Sequence, residues 1–126
     1  MTSTHRQRLI RLILPVFALA WFAGTHMPRP PRIPSGLGGD KTVHFVGYAI
    51  MMTLALSATA NVKLPAVRRI TLWLLAGLLF AALDEITQPL VNRTCSFTDF
   101  LADAAGLFAA IAAVALADAR RRRRLT

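Results

Sequence analysis

One cysteine, Cys95, stands in a chain of 126 residues, so neither an internal disulfide nor a Cys-rich zinc site can form. Acids are scarce: six, against 15 lysines and arginines, for a net charge of +9. The chain has no phosphate-cradling G-x-x-x-x-G-K loop, no G-x-S-x-G elbow, no G-x-G-x-x-G fingerprint and no H-E-x-x-H spacing. The nucleotide-loop enzymes, the elbow hydrolases, the dinucleotide enzymes and the zincins are thereby set aside. No internal sequence repeat is evident. Nor is a nucleic-acid partner expected, because the basic residues gather at the ends of apolar runs and lack aromatic interleaving on a polar surface.

Apolar residues are abundant, at 55% of the chain, within a length that suits one domain. They fall into four runs that predict four transmembrane helices, at about 12–27, 43–60, 70–88 and 98–117, with a basic tail at 118–126. The first run follows His5, Arg6, Arg8 and Arg11, and Ala18-Leu19-Ala20 gives it the look of a signal peptide. Its continuation through Trp21, Phe22 and Ala23 favours an uncleaved helix, with Pro15 near the start, where a missing N–H costs least. Met27 to Asp40 reads as a loop, since Pro28, Pro30, Pro31 and Pro34 oppose helix and Gly36, Gly38 and Gly39 loosen the chain. The next run holds about 18 residues, or ~27 Å at 1.5 Å each, enough to span a bilayer core. Asn61 to Arg69 reads as a polar turn, Trp73 suits an interface belt, and Pro89 stops the third helix. Ser96 is placed to cap the fourth, with Asp99 three residues on.

Orientation follows from lysine and arginine bias. With four spans, the N-terminus, the turn at 61–69 and the C-terminus share a side and hold Arg6, Arg8, Arg11, Lys63, Arg68, Arg69 and Arg120 to Arg124. The other side holds only Arg29, Arg32, Lys41 and Arg93. Both termini are therefore expected in the cytoplasm, with the arginine run beside anionic lipid.

That topology puts every acid except Asp118 at an outer helix end. Asp84 and Asp103 each lie 14 steps from the inner end of their helix, about 21 Å, so they are expected at one level. Asp40 and His44, Asp84 and Gln88, and Asp99 and Asp103 are each spaced i, i+4 and share a helix face. Asp40 and Asp99 have ordinary readings as an N-cap and a dipole partner, and His44 one as an interfacial histidine. Arg93 has one as a snorkelling cation, and Cys95 as an incidental loop thiol. Asp84 and Glu85 do not, because the helix dipole disfavours acids near a C-terminal end and apolar residues surround them. They call for a cation, a proton or a metal, with Lys41, His44 and Arg93 as candidate partners. The candidate polar site is thus Asp40, Lys41, His44, Asp84, Glu85, Gln88, Arg93, Asp99 and Asp103. Catalytic residues, cofactor and metal are left unassigned.

At these residues the chain resembles the VanZ-like family of small integral membrane proteins. The resemblance rests on Asp40-Lys41-x-x-His44-Phe45 with Tyr48, on Asp84-Glu85-x-x-Gln88, and on Arg93-x-x-Ser96-x-x-Asp99 with Gly106. Where the family commonly has asparagine, this chain has Asp103, which raises the local negative charge. The resemblance implies a single all-α multi-pass domain over residues 1–126 in the bacterial inner membrane, and a namesake associated with low-level resistance to teicoplanin. The expected function is an outward-facing pocket that binds or modifies an amphiphilic cell-envelope component, with Lys41 and Arg93 holding an anionic headgroup. One alternative is a hydrolase or transferase using His44 or a carboxylate as general base, with or without a divalent metal held by the acids, His44 and Gln88. Another is an assembly helper that meets a membrane-protein partner through the Ala/Gly face of the fourth helix around Gly106-x-x-x-Ala110.

Overall fold

A computed structural model describes residues 3–28 and 39–124. The Pro- and Gly-rich stretch 29–38, expected to be a loop, lies outside the described residues, as do Arg29 and Arg32. Four α-helices follow in order: α1, Ser3–Thr25; α2, Gly39–Ala58; α3, Ala66–Thr87; and α4, Phe97–Arg123. A 3-10 turn, Gln88–Val91, extends α3, and Asn92 at φ 60 reverses the chain toward α4. Among the described residues there is no strand, so the all-α expectation holds. Three stretches, His5–Thr25, Ala66–Val91 and Phe97–Arg123, are long and apolar enough to cross a membrane. In α2, Asp40, Lys41 and His44 occupy the first two turns and dilute the apolar run.

The helices run past the apolar boundaries that the sequence marks. α1 begins at Ser3, not near Leu12, because Gln7, Leu9 and the arginines before Leu12 are good helix formers. Pro15 is consequently mid-helix, not near the start, and its missing N–H leaves the Arg11 carbonyl without its usual i+4 donor. α3 opens directly after Pro65, so Arg68 and Arg69 are helical. α4 takes in Arg120 to Arg123, whose charges suit the C-terminal end of the dipole. α2 opens at Gly39, whose φ of 64 a glycine tolerates, and Asp40 sits inside the first turn instead of capping it.

α2 is the central helix and packs on the other three. Tyr48, Met52 and Leu56 from α2 form the core with Ala81 from α3 and Leu107 and Ala110 from α4. Small residues set the close approaches. A Cβ on Gly106 would overlap the backbone carbonyl of Phe45, so α4 lies against α2 with its main chain almost in contact. A Cβ on Gly47 would likewise overlap the Trp21 ring of α1. Around this core the outer faces of α1 and α3 stay apolar and exposed, with Leu12, Val16 and Leu19 on one and Leu72, Leu75 and Leu79 on the other. A surface of that kind suits lipid.

At one end of the bundle, basic side chains satisfy the last carbonyl of α2 and those of the turn that follows it. Arg11 Nε donates to Ala58 O at 3.0 Å, and Arg69 Nη1 donates to Thr59 O and Ala60 O, both at 3.1 Å. Trp73 is half-buried there and donates its indole N–H to Thr59 Oγ1 at 3.0 Å. The polar residues gather at the opposite end.

Candidate functional site

All four helices contribute to that polar end: the C-terminal ends of α1 and α3 and the N-terminal ends of α2 and α4. His44, Asp84, Glu85, Gln88, Asp99 and Asp103 are all buried there. An apolar bundle tolerates such burial only where the groups satisfy one another.

His44 lies at the centre. Its Nδ1 is 2.9 Å from Asp103 Oδ1 and 3.9 Å from Glu85 Oε1, which joins α2 to α4 and α3. Trp21 packs edge-on against the imidazole. Glu85 is held from two further directions: the Ser96 backbone N–H donates to Oε2 at 2.7 Å, and Gln88 Nε2 donates to Oε1 at 3.2 Å. The Ser96 hydroxyl meanwhile accepts from the Asp99 N–H at 3.2 Å, as an N-cap does. Ser96 therefore ends one polar contact and begins a helix. On Asp103 only one carboxylate oxygen is engaged; Oδ2 is buried without a hydrogen-bond partner among the described residues.

Asp84 is partnered differently from the expectation. Neither Lys41 nor Arg93 reaches it. The Thr25 hydroxyl donates to Asp84 Oδ1 at 2.6 Å, His26 Nδ1 stands 3.4 Å from the same oxygen, and the Tyr48 hydroxyl is 3.5 Å from Oδ2. His26 is itself fixed: Nδ1–H donates to the Phe22 carbonyl at 2.8 Å, Nε2 is 2.9 Å from Thr87 Oγ1, and the ring stacks on Phe22. Asp84 and Asp103 are thus each tied to α2, through Tyr48 and His44, which lie one turn apart. An aromatic side chain on that one helix serves each acid.

The two expected cations sit farther out. Lys41 Nζ is 3.4 Å from Asp99 Oδ1, with the lysine side chain 59% exposed. Arg93 Nη2 is 3.2 Å from Asp40 Oδ2. These ion pairs tie the first turn of α2 to α4 and to the turn after α3. Of the nine residues proposed from sequence, the structure gathers His44, Glu85, Gln88 and Asp103 into one interior cluster. Lys41, Asp99, Asp40 and Arg93 form an outer ring, and Asp84 lies in a second interior cluster with Thr25, His26 and Tyr48. Cys95 is exposed and belongs to neither.

Thr25 and His26 were missed by the sequence reading. Their signal was present, because an apolar run that ends in Thr25-His26 must reach the same end of the bundle as Asp84. The Gly106–Ala110 face is buried against α2, so the exposed small residues of α4 are others, among them Ala105, Ala109 and Ala113.

A family model described as VanZ/LLP1 matches residues 2–118 of the chain. No curated protein and no solved structure matches it. With three apolar helices of membrane-spanning length, the family match identifies a membrane protein.

Proposed function

The chain belongs to the VanZ/LLP1 family, and from that premise we propose a multi-pass cell-membrane protein whose polar end faces outward and binds or modifies an amphiphilic cell-envelope component. The observation that carries this reading is burial of His44, Asp84, Glu85, Gln88 and Asp103 at one end of a bundle whose flanks are exposed and apolar. Intramembrane ionisable groups are costly and mark sites more often than scaffolding. The lipid-facing flanks give an amphiphile's tail a place beside a headgroup held at the polar end. Four spans with both termini cytoplasmic fit the basic residues at the opposite end. Lys41 and Arg93 lie in the outer ring of that end; each keeps donors beyond its pair with Asp99 or Asp40. Resistance to glycopeptides of the teicoplanin type is a further role that the family suggests.

The test is a mass-spectrometric inventory of lipids retained by the purified chain. A retained lipid or lipid-linked precursor, lost from folded Glu85→Gln, supports the reading; a lipid profile identical to bulk membrane in both forms sinks it. One observation favours a second reading as a hydrolase or transferase: Asp103 orients the His44 imidazole at 2.9 Å, as a carboxylate orients a general base. Turnover of a retained amphiphile, abolished in folded His44→Gln, distinguishes it.

A further inference from the structure

We propose that His44, Glu85 and Asp103 form a binding site for a divalent transition cation of the zinc or manganese class. One ligand atom from each of the three converges so that all lie within 4.8 Å of one another, and all three residues are buried. Two donors on one ion at ~2.1 Å from it stand about 3 to 3.5 Å apart. His44 Nδ1 and Asp103 Oδ1, at 2.9 Å, are already near that spacing, and Glu85 Oε1, 3.9 Å from Nδ1, needs only a small adjustment.

Three further observations point to a ligand. Asp103 Oδ2 is buried with no hydrogen-bond partner among the described residues, on a residue of 0% exposure. A buried carboxylate oxygen without a donor is costly, and an ion on the carboxylate relieves it. Glu85 is fixed by Gln88 and the Ser96 N–H, the outer-shell orientation that metal-binding carboxylates receive. Asp40, His44 and Asp99 form a second convergent set that shares the imidazole, and its Asp40 is exposed, so cation-binding groups extend from the surface to the buried His44. The donor set, one imidazole and two carboxylates, suits zinc or manganese better than magnesium or calcium, which prefer oxygen alone. Binding replaces the proton between His44 and Asp103 with the ion and leaves coordination positions open.

This inference rests on the polar end being a binding site and names what it holds. Lys41 and Arg93 are paired with Asp99 and Asp40, and the interior is acid-rich, so an anionic headgroup of the phosphate class needs added positive charge. A divalent cation supplies it and bridges the headgroup to His44, Glu85 and Asp103.

The experiment uses the full chain in nanodiscs, stripped with EDTA and dialysed against zinc chloride or manganese chloride, alone or with a large excess of magnesium and calcium. Metal per chain is read by mass spectrometry. The expected result is about one zinc or manganese ion per chain, resistant to magnesium and calcium. Uptake is lost in the Glu85→Gln/Asp103→Asn double variant, kept in Asp118→Asn, and weakened roughly tenfold or more in Gln88→Ala. If the double variant does not fold, the unaltered chain decides: bound cobalt(II) gives visible bands of mixed nitrogen and oxygen ligation. No uptake of zinc, manganese or cobalt by the unaltered chain overturns the proposal, as does full uptake by a folded double variant. Displacement by magnesium or calcium overturns the transition-metal assignment. Repeating the lipid inventory with and without EDTA separates the two ideas. Metal retained without lipid overturns only the headgroup reading; lipid retained equally after EDTA overturns the cation's bridging role, and the cation site itself stands or falls with the uptake measurement.

Discussion

The Thr25 hydroxyl donates to Asp84 at 2.6 Å and closes the end of α1 onto the end of α3 across 59 positions of sequence. Thr25→Val keeps the shape and removes the donor, leaving a buried carboxylate oxygen short of a partner. A loss of about 1–3 kcal/mol is expected, read by denaturation in detergent, with Thr25→Ser near the parent. A valine variant as stable as the parent would show that the bond is not formed.

His26 should couple to Asp84 energetically, and Arg93 should not. A double-mutant cycle of Asp84→Asn with His26→Gln is expected to give an interaction energy of roughly 0.5–3 kcal/mol. The same cycle with Arg93→Gln should be close to zero, because Arg93 pairs with Asp40 at the surface, where such pairs contribute about 0–1 kcal/mol. The reverse pattern would restore Arg93 as the countercharge.

Of the three candidate partners for Asp84 and Glu85, His44 stands 3.9 Å from Glu85, while Lys41 and Arg93 pair with Asp99 and Asp40 instead. The sequence located Asp84 at a helix end, opposed by the dipole, and so in need of a partner. It did not reveal which neighbour lies beside α3 at that depth, because four antiparallel helices can be arranged in more than one order around the bundle. With α2 in the middle, Thr25 and Tyr48 reach Asp84 while His44 turns to Asp103. Asp99 and Asp103, spaced i, i+4 on α4, are both buried at the polar end. Helix ends were less legible, since apolar composition marks the extent of the bilayer-facing part while helix propensity continues through Arg8 and Arg121.

Gly106→Leu should destabilise the chain strongly, through α2 and not α3, since even a Cβ there overlaps the Phe45 carbonyl. Overpacking of this sort costs typically 1–3 kcal/mol and more where backbone is the obstacle. Ala109→Leu, on the exposed face of the same helix, serves as the control and should change stability little. Equal effects at the two positions would argue against the close α2–α4 approach.

Gly47→Ala should be destabilising because its new methyl meets the Trp21 ring. Combining it with Trp21→Leu should cost less than the sum of the two single changes, since the smaller side chain vacates the overlap. Strict additivity of the two would place Trp21 elsewhere.

Native Cys95 is exposed at the polar end and reports orientation without engineering. A membrane-impermeant maleimide should label it in intact cells. A Cys95→Ser chain carrying Val62→Cys should be labelled only after permeabilisation. The opposite pattern would invert the proposed topology.

Arg11 and Arg69 join two requirements that are usually examined apart. Both are among the charges that would direct insertion, and in the finished bundle Arg11 holds the last carbonyl of α2 and Arg69 those of the turn just after it. A charge-swap meant to flip the chain during biogenesis would therefore also loosen the central helix after folding. Failure of such a variant to accumulate would conflate misinsertion with degradation of a correctly inserted but frayed protein. Swaps confined to Lys63 and Arg68, which make no such carbonyl contact among the described residues, leave the two processes separable.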